Sequence, residues 1–288
     1  MFLTVFTPTY NRAYRLGTLY DSLCQQTMTD FEWLIVDDGS TDDTEKIIKE
    51  WIKEGVIRIR YFKQQNGGKH RAINKGVQES HGEMFLIVDS DDSLTLNSIE
   101  RIYHHYLKIK DRKEFAGVCG CRAYSDGKII RNPSFDVVEC TNFERMYCYR
   151  LIGDMAEVFY TSILREHPFP EIIGEKFCPE ILIWNRIARK YKIRHFGEGI
   201  YIGEYLPDGL TAKITKIRMN SPVGTSMTYA ELLGAPIPLW AKIKSAINYY
   251  RFSKYASNDK LPKIGRTWIF FKPLGNIMAY RDQRRNQV

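Results

Sequence analysis

The stretch Met84-Phe85-Leu86-Ile87-Val88-Asp89-Ser90-Asp91-Asp92 sets an unbroken apolar run against a cluster of acids. A short apolar run bounded by polar residues suits a strand buried on both faces. The same pattern stands upstream, where Trp33-Leu34-Ile35-Val36 runs into Asp37-Asp38, and Leu3 to Thr7 is a third short apolar run. Between these runs the apolar residues take helical spacing. Leu16, Leu19, Tyr20 and Leu23 form one face, and Ile47, Ile48 and Trp51 another, with Asp42 expected as an N-cap and Glu45 closing a capping box. Val56 to Phe62 alternates as a further strand, and a helix is expected from about Lys69 to Ser80. Strands separated by helices predict an α/β fold with a parallel sheet.

Beyond residue 115 the pattern changes. Phe115–Tyr124 and Lys128–Arg131 flank Ser125-Asp126-Gly127, which predicts a hairpin. Asp154 to Tyr191 reads as mostly helical, interrupted by Pro168 and Pro170. A chain of 288 residues admits one large domain, or a smaller one with an appendage. Met1–Phe6 is read as a first strand rather than a signal peptide, because it lacks a basic leader. Cys24, Cys119, Cys121, Cys140, Cys148 and Cys178 form no C-x-x-C pair, which argues against zinc and for a reducing, cytoplasmic setting. The net charge of +8 is uneven: from Ala241 onward eleven lysines and arginines face only Asp259 and Asp282. A near-neutral body therefore carries a basic C-terminal region.

In open α/β sheets, ligands bind beyond the carboxyl ends of the strands. Both acidic clusters fall there. Carboxylates crowded at one sheet edge repel unless cations or hydroxyl donors meet them, and a nucleotide sugar with a divalent metal supplies both. An Asp after a strand can also merely form a turn, but two clusters each ending an apolar strand weigh against that. A dinucleotide-dependent oxidoreductase is disfavoured: no G-x-G-x-x-G follows the first strand, Gly197-Glu198-Gly199 lacks the third glycine, and no Walker pattern occurs.

Four motifs in order resemble the family 2 glycosyltransferases of GT-A fold: Thr7-Pro8-Thr9-Tyr10-Asn11-Arg12, Val36-Asp37-Asp38-Gly39-Ser40-Thr41-Asp42, Asn66-Gly67-Gly68 with Ala72, Asn74 and Gly76, and Val88-Asp89-Ser90-Asp91-Asp92. The resemblance implies an α/β, mainly parallel but mixed sheet flanked by helices, with catalytic residues 1–215 (a nucleotide-binding half, 1–115, and an acceptor-side half, 116–215). Residues 216–288 would be a basic, aromatic, mostly helical extension. It implies an inverting transfer from a nucleotide diphosphate sugar, UDP-sugar before GDP- or dTDP-sugar, with Mn²⁺ or Mg²⁺. The acceptor would be a saccharide, free or lipid-linked, in cell-surface polysaccharide synthesis. Thr7, Pro8 and Tyr10 would border the base pocket, Asp38 would meet base or ribose, and Asn66 belongs to the third motif. Asp91 would face ribose and sugar and Asp92 the metal, though these two can exchange roles. Lys69 is either a surface lysine or a counter-charge to phosphate. The contrasting reading is a non-catalytic nucleotide-sugar binder of the same fold.

Inversion needs a carboxylate to take the acceptor's proton. In the family this base lies in an acidic pair ahead of a helix with a Leu-Trp-x-Arg-like pattern. Cys178-Pro179-Glu180-Ile181-Leu182-Ile183-Trp184-Asn185-Arg186 matches it and assigns Glu180, although the usual Glu-Asp pair here reads Pro179-Glu180. Glu175 and Glu171 are substitutes, and Asp154 could contact the acceptor. Tyr205-Leu206-Pro207-Asp208-Gly209-Leu210-Thr211 resembles a loop that closes over the donor, and is by itself a turn. His195 reads as a core or edge-strand histidine. In the basic region, Leu239, Trp240, Ile243, Ile247 and Tyr250 share a helical face, and Trp268-Ile269-Phe270-Phe271-Lys272-Pro273-Leu274 adds an aromatic patch. Such a region suits peripheral contact with the inner face of a membrane through 239–285, or packing on the catalytic domain. No nucleic-acid module accompanies it.

Overall fold

The computed structural model describes residues 1–130, 134–203, 213–257 and 260–286. The chain forms two compact units, Met1–Pro168 with Lys190–Glu204, and Phe169–Arg189 with Tyr205–Val288. Residues 169–189 therefore group with the C-terminal helices, whereas the sequence reading placed the boundary near 215.

The first unit begins with β1 (Leu3–Thr9), α1 (Ala13–Cys24), β2 (Phe31–Asp37), α2 (Thr44–Glu54), β3 (Ile59–Lys63), α3 (Lys69–Glu79) and β4 (Met84–Ile87). These strands pair in parallel in the order β3-β2-β1-β4, so the order reverses between β1 and β4. Such a reversal leaves a crevice at the strands' carboxyl ends. Every residue of β2 is buried, as its apolar run requires. Leu16, Leu19, Tyr20 and Leu23 bury the inner face of α1, as their spacing predicts.

The expected capping box on α2 is absent. Asp42 does accept from the Thr44 N–H at 3.1 Å, but also from the Ala13 N–H at 3.0 Å, while Glu45 pairs outward with Lys49 and Lys63. Two nearby ammonium groups outcompete one backbone N–H for the Glu45 carboxylate.

The unit continues with β5 (Ser93–Leu94), α4 (Ser98–Tyr106), β6 (Phe115–Ala123), β7 (Val137–Cys140), α5 (Asn142–Tyr147), β8 (Met155–Tyr160) and α6 (Thr161–Glu166), and closes on β9 (Lys192–Ile202). Among the described residues, nine strands make one mixed sheet in the order β3-β2-β1-β4-β8-β6-β9-β5, with β7 also on β9. Met155–Tyr160 corrects the helical reading of 154–191. It slots antiparallel between β4 and β6, pairing Phe85 with Phe159 and Val118 with Val158. The expected hairpin is short. Around Gly127 at φ +84°, an antiparallel Ala123–Ile129 bridge is flanked by the Tyr124 N–H donating to the Lys128 carbonyl and the Ile130 N–H to the Arg122 carbonyl, each at 2.9 Å, and Arg131 lies outside the described residues.

The second unit holds α7 (Ile181–Ile187), α8 (Ile214–Asn220), α9 (Pro222–Leu233), α10 (Leu239–Ser253), a 3₁₀ turn at Arg266–Phe271 and α11 (Lys272–Asn286). Arg186 forks onto Glu231 of α9 at 2.7 and 3.1 Å. The face buried by α10 is Ala241, Ser245, Ala246, Tyr249 and Phe252, whereas Leu239 and Trp240 of the expected apolar face are 67% and 62% exposed. Ala241, Ser245 and Ala246 on the buried face suit close approach of a neighbouring helix, whereas α11 meets α10 on its Ile247–Arg251 side. A Cβ on Gly275 would lie 2.7 Å from the Ile247 carbonyl oxygen.

Candidate active site

The carboxyl ends of β1, β2, β3 and β4 carry the first three sequence motifs and the acidic run, and local chemistry sews their loops together. Asn11 sits at φ +51°, a left-handed conformation that asparagine tolerates. From there its N–H donates to Ser40 Oγ at 2.8 Å and its Oδ1 accepts from the Thr41 N–H at 2.8 Å. Asp37 ends β2 as a turn anchor: its carboxylate accepts from the Ser40 N–H and the Tyr61 hydroxyl, each at 2.7 Å. Gly39 takes φ +89° against the loop of Gln64 and Asn66, where any side chain would crowd their backbone.

Asp38 organises that loop. Its carboxylate accepts from the Gly67 N–H at 2.8 Å, the Gly68 N–H at 2.7 Å and the Gln64 amide at 2.8 Å, and its carbonyl accepts from the Asn66 amide at 3.0 Å. The second and third motifs are thus one structure, in which three of about four acceptor positions on the carboxylate are taken. Thr7 is fully buried and accepts from the Trp33 indole at 2.9 Å, so its side chain faces the core. Pro8 is half-buried and Tyr10 is exposed.

The acids after β4 meet cations from elsewhere in the chain. Lys69, first residue of α3, pairs with Asp89 Oδ1 at 2.5 Å. It is a half-buried charge partner rather than a surface lysine. Arg122 from β6 reaches Asp92 Oδ2 at 3.5 Å and Asp89 Oδ2 at 4.0 Å, and lies 4.1 Å over the Tyr201 ring. Its Nε is buried and has no hydrogen-bond partner among the described residues. The Tyr201 hydroxyl, from β9, donates to Asp92 Oδ2 at 2.6 Å and accepts the Asp89 N–H at 3.0 Å. Burial works against ionised Asp89, but Lys69 and then Arg122 hold its carboxyl below the usual range. For Asp92 burial prevails: with Asp89 alongside, it is pushed up to about 6 despite Arg122. Asp91 is half-buried and joins no ion pair or hydrogen bond among the described residues.

Among the described residues no three His, Cys, Asp or Glu side chains form a metal cage. The donor set nonetheless fits Mg²⁺ or Mn²⁺, hard ions that are usually held by one or two carboxylates with phosphate and water completing the shell. Asp89, Asp91 and Asp92 supply such oxygens, and a divalent ion would restore the charged form that burial disfavours in Asp92. The arrangement can seat a negatively charged, hydroxyl-rich ligand: two cations for phosphate, and acids for hydroxyls or a metal.

Arg122 and Tyr201 are not marked by any sequence motif; only the sheet order brings them to the acids. Glu180 belongs to the second unit. It is half-buried immediately ahead of α7, where its carbonyl accepts from the Ile183 N–H at 2.9 Å. Its substitute Glu175 caps α9, accepting from the Val223 and Gly224 N–H groups at 2.7 and 2.9 Å. His195 is buried in β9, as expected of a core histidine. The loop Tyr205–Thr211 lies outside the described residues.

The chain is 27% identical over 194 residues to GalNAc(5)-diNAcBac-PP-undecaprenol beta-1,3-glucosyltransferase of Campylobacter jejuni, covering 65% of this chain and 60% of that protein. An uncharacterized glycosyltransferase of Rickettsia felis is 27% identical over 231 residues, covering 78% of this chain and 34% of the relative, so the chain spans about a third of that protein's length. Staphylococcus aureus TarS 1–349, solved in complex with UDP-GlcNAc, superposes with a TM-score of 0.62 at 20% identity over 90% of this chain and 74% of that one, which shows the fold. The model described as Glycosyl transferase family 2 matches residues 4–167, and the chain belongs to that family.

Proposed function

We propose that the chain is an inverting glycosyltransferase that moves a sugar from a UDP-sugar to a saccharide acceptor, free or lipid-linked. The observation that carries this reading is the meeting of Lys69, Asp89, Asp92, Arg122 and Tyr201 beside the Asp38-bound loop. UDP as the nucleotide is supported by the TarS complex, and a lipid-linked acceptor by the undecaprenol-linked substrate in the name of the Campylobacter relative.

In this mechanism Pro8, Tyr10, Asp38 and Asn66 border the nucleotide. Lys69 and Arg122 face the diphosphate, and Asp91 takes sugar or ribose hydroxyls. Asp92, with Asp89 alongside, would hold Mn²⁺ or Mg²⁺, which when bound neutralises charge developing on the departing diphosphate. Glu180 is the base. Its carboxylate accepts the proton of the acceptor hydroxyl as that oxygen attacks the anomeric carbon, and the bond to UDP breaks on the opposite face. A lipid-linked acceptor would be met at the inner face of a membrane, with residues 239–285 in contact. No helix of the described residues is long and apolar enough to cross one.

The Glu180→Gln variant tests the reading. Proton transfer of this kind contributes about 10²–10⁴-fold, so turnover is expected to fall by that factor while UDP still raises thermal stability in the presence of Mn²⁺. Unchanged sugar transfer would remove Glu180 from the mechanism. Absence of any stabilisation by UDP or a UDP-sugar would overturn the donor assignment.

A further inference from the structure

The second unit ends in a ridge whose chemistry asks for a partner. On α11, Gly275, Ala279 and Asp282 turn toward α10: the Asp282 carboxylate is gripped by Arg251 at 2.5 and 2.8 Å, and the Ala279 carbonyl accepts from the Tyr255 hydroxyl at 2.8 Å. With about 3.6 residues per turn, Leu274, Ile277, Arg281 and Arg284 fall on the opposite side of the helix. Leu274 and Ile277 are 50% and 51% exposed, and Ile269 and Phe270 of the preceding 3₁₀ turn are 55% and 81% exposed. Contiguous exposed apolar side chains of this size mark an interaction surface.

Charge on the same segment is one-sided. Lys272, Arg281, Arg284 and Arg285 are exposed and join no ion pair among the described residues. The only acid from residue 260 onward is Asp282, and Arg251 already neutralises it. A second copy of this surface would bring like charges together. Nucleic acid would satisfy the cations, but three of the five exposed apolar groups are aliphatic, and the Tyr280 ring is already covered by the Arg284 guanidinium at 4.7 Å, which leaves bases little stacking platform. An anionic bilayer satisfies both: acyl chains take Phe270, Leu274 and Ile277, and headgroups take the cations.

We propose that the 3₁₀ turn and the outer face of α11 dock on an anionic lipid bilayer, lying in its plane. The proposed docking face is the outer one of α11 with the 3₁₀ turn; the Ile247–Tyr250 stretch of α10 instead lies against Gly275 of α11. Neither sugar transfer nor the identity of the donor enters the proposal.

The experiment is flotation of the full chain with vesicles of phosphatidylcholine, with and without phosphatidylglycerol. Binding is expected only to the anionic vesicles, and it should weaken as salt rises. The Arg281→Gln, Arg284→Gln, Arg285→Gln triple variant should bind about a hundredfold more weakly, at about fivefold per cation. Phe270→Ser with Ile277→Ser should lose binding comparably, with an unchanged circular dichroism spectrum because both side chains are already exposed. The Leu239→Ser variant, at a side chain of α10 that is 67% exposed, should bind as wild type does. Equal binding to neutral vesicles, wild-type binding by the triple or Phe270/Ile277 variants, or loss confined to the α10 variant would overturn the proposal. So would concentration-dependent dimers, or tight RNA binding, that the Phe270/Ile277 change abolishes in the absence of vesicle binding. UDP-induced stabilisation, measured on the same samples, reports separately on the donor site.

Discussion

The Asp38 carboxylate illustrates how one side chain can hold a ligand loop without leaving much of itself for the ligand. Two glycine N–H groups and one amide converge on it. Asp38→Asn places an amide N–H₂ against those donors, and hydrogen bonds to a charged group are worth about 1.5–3 kcal/mol each. Urea denaturation is expected to show a loss in that range, accompanied by weaker UDP binding in calorimetry as the 66–68 loop loosens. If UDP binding collapses with stability unchanged, Asp38 acts by touching the nucleotide directly. Tyr201→Phe probes the other half of the site. The hydroxyl it removes serves both the Asp92 carboxylate and the Asp89 N–H, so about 1–3 kcal/mol of stability should be lost. At this scale the acids were legible in the sequence because each ends an apolar strand. Arg122 and Tyr201 were not, because β6 and β9 deliver them through sheet pairing at long separation, and Lys69 declared its role only once the fold brought the start of α3 to Asp89.

Among the elements, α3 is positioned by what one of its residues lacks. Gly76 faces the Phe6 ring so closely that a Cβ would lie 2.2 Å from its edge, and Phe6 is itself stacked on Phe85 at 5.2 Å. Gly76→Ala should gain about 1 kcal/mol from helix propensity, yet overpacking typically costs about 1–3 kcal/mol. The expected net result is destabilisation in urea. Trimming the ring in the Gly76→Ala, Phe6→Leu pair should recover part of it, and additive losses would exclude the contact as the cause. Because α3 starts at Lys69, displacement of the helix should also weaken UDP binding. The glycine was visible in the sequence as part of a motif, but its reason required the neighbouring strand. The same limit produced the misreading of Met155–Tyr160. A six-residue segment, here interrupted by Glu157, is too short to declare a period, and its strand identity comes from β4 and β6 on either side.

For the molecule as a whole, the mixed sheet places a titratable group where water does not reach. His195 lies between β6 and β7, with its Nδ1 facing the Val138 carbonyl at 3.3 Å. Burial, helped by the positive charge of Arg145, pushes its imidazole down to about 3. The unfolded chain protonates it near the ordinary value of about 6.5, so below that pH the unfolded state binds a proton that the native state refuses. Its contribution is intact above about 6.5 and is lost as pH falls toward 3, at up to about 1.4 kcal/mol per pH unit. His105, lowered chiefly by burial, adds the same sign. Asp92 opposes both: its raised native value, about 6, makes the native state the better proton acceptor between there and about 3.9. The wild-type stability curve is therefore a compensated sum, and its slope alone identifies no group. The difference curve against His195→Gln isolates the histidine. Urea midpoints from pH 7.5 to 4 should fall more steeply for wild type than for the variant, with the gap opening below about 6.5. Parallel curves would mean that water reaches His195, and that the sheet is open where β7 meets β9.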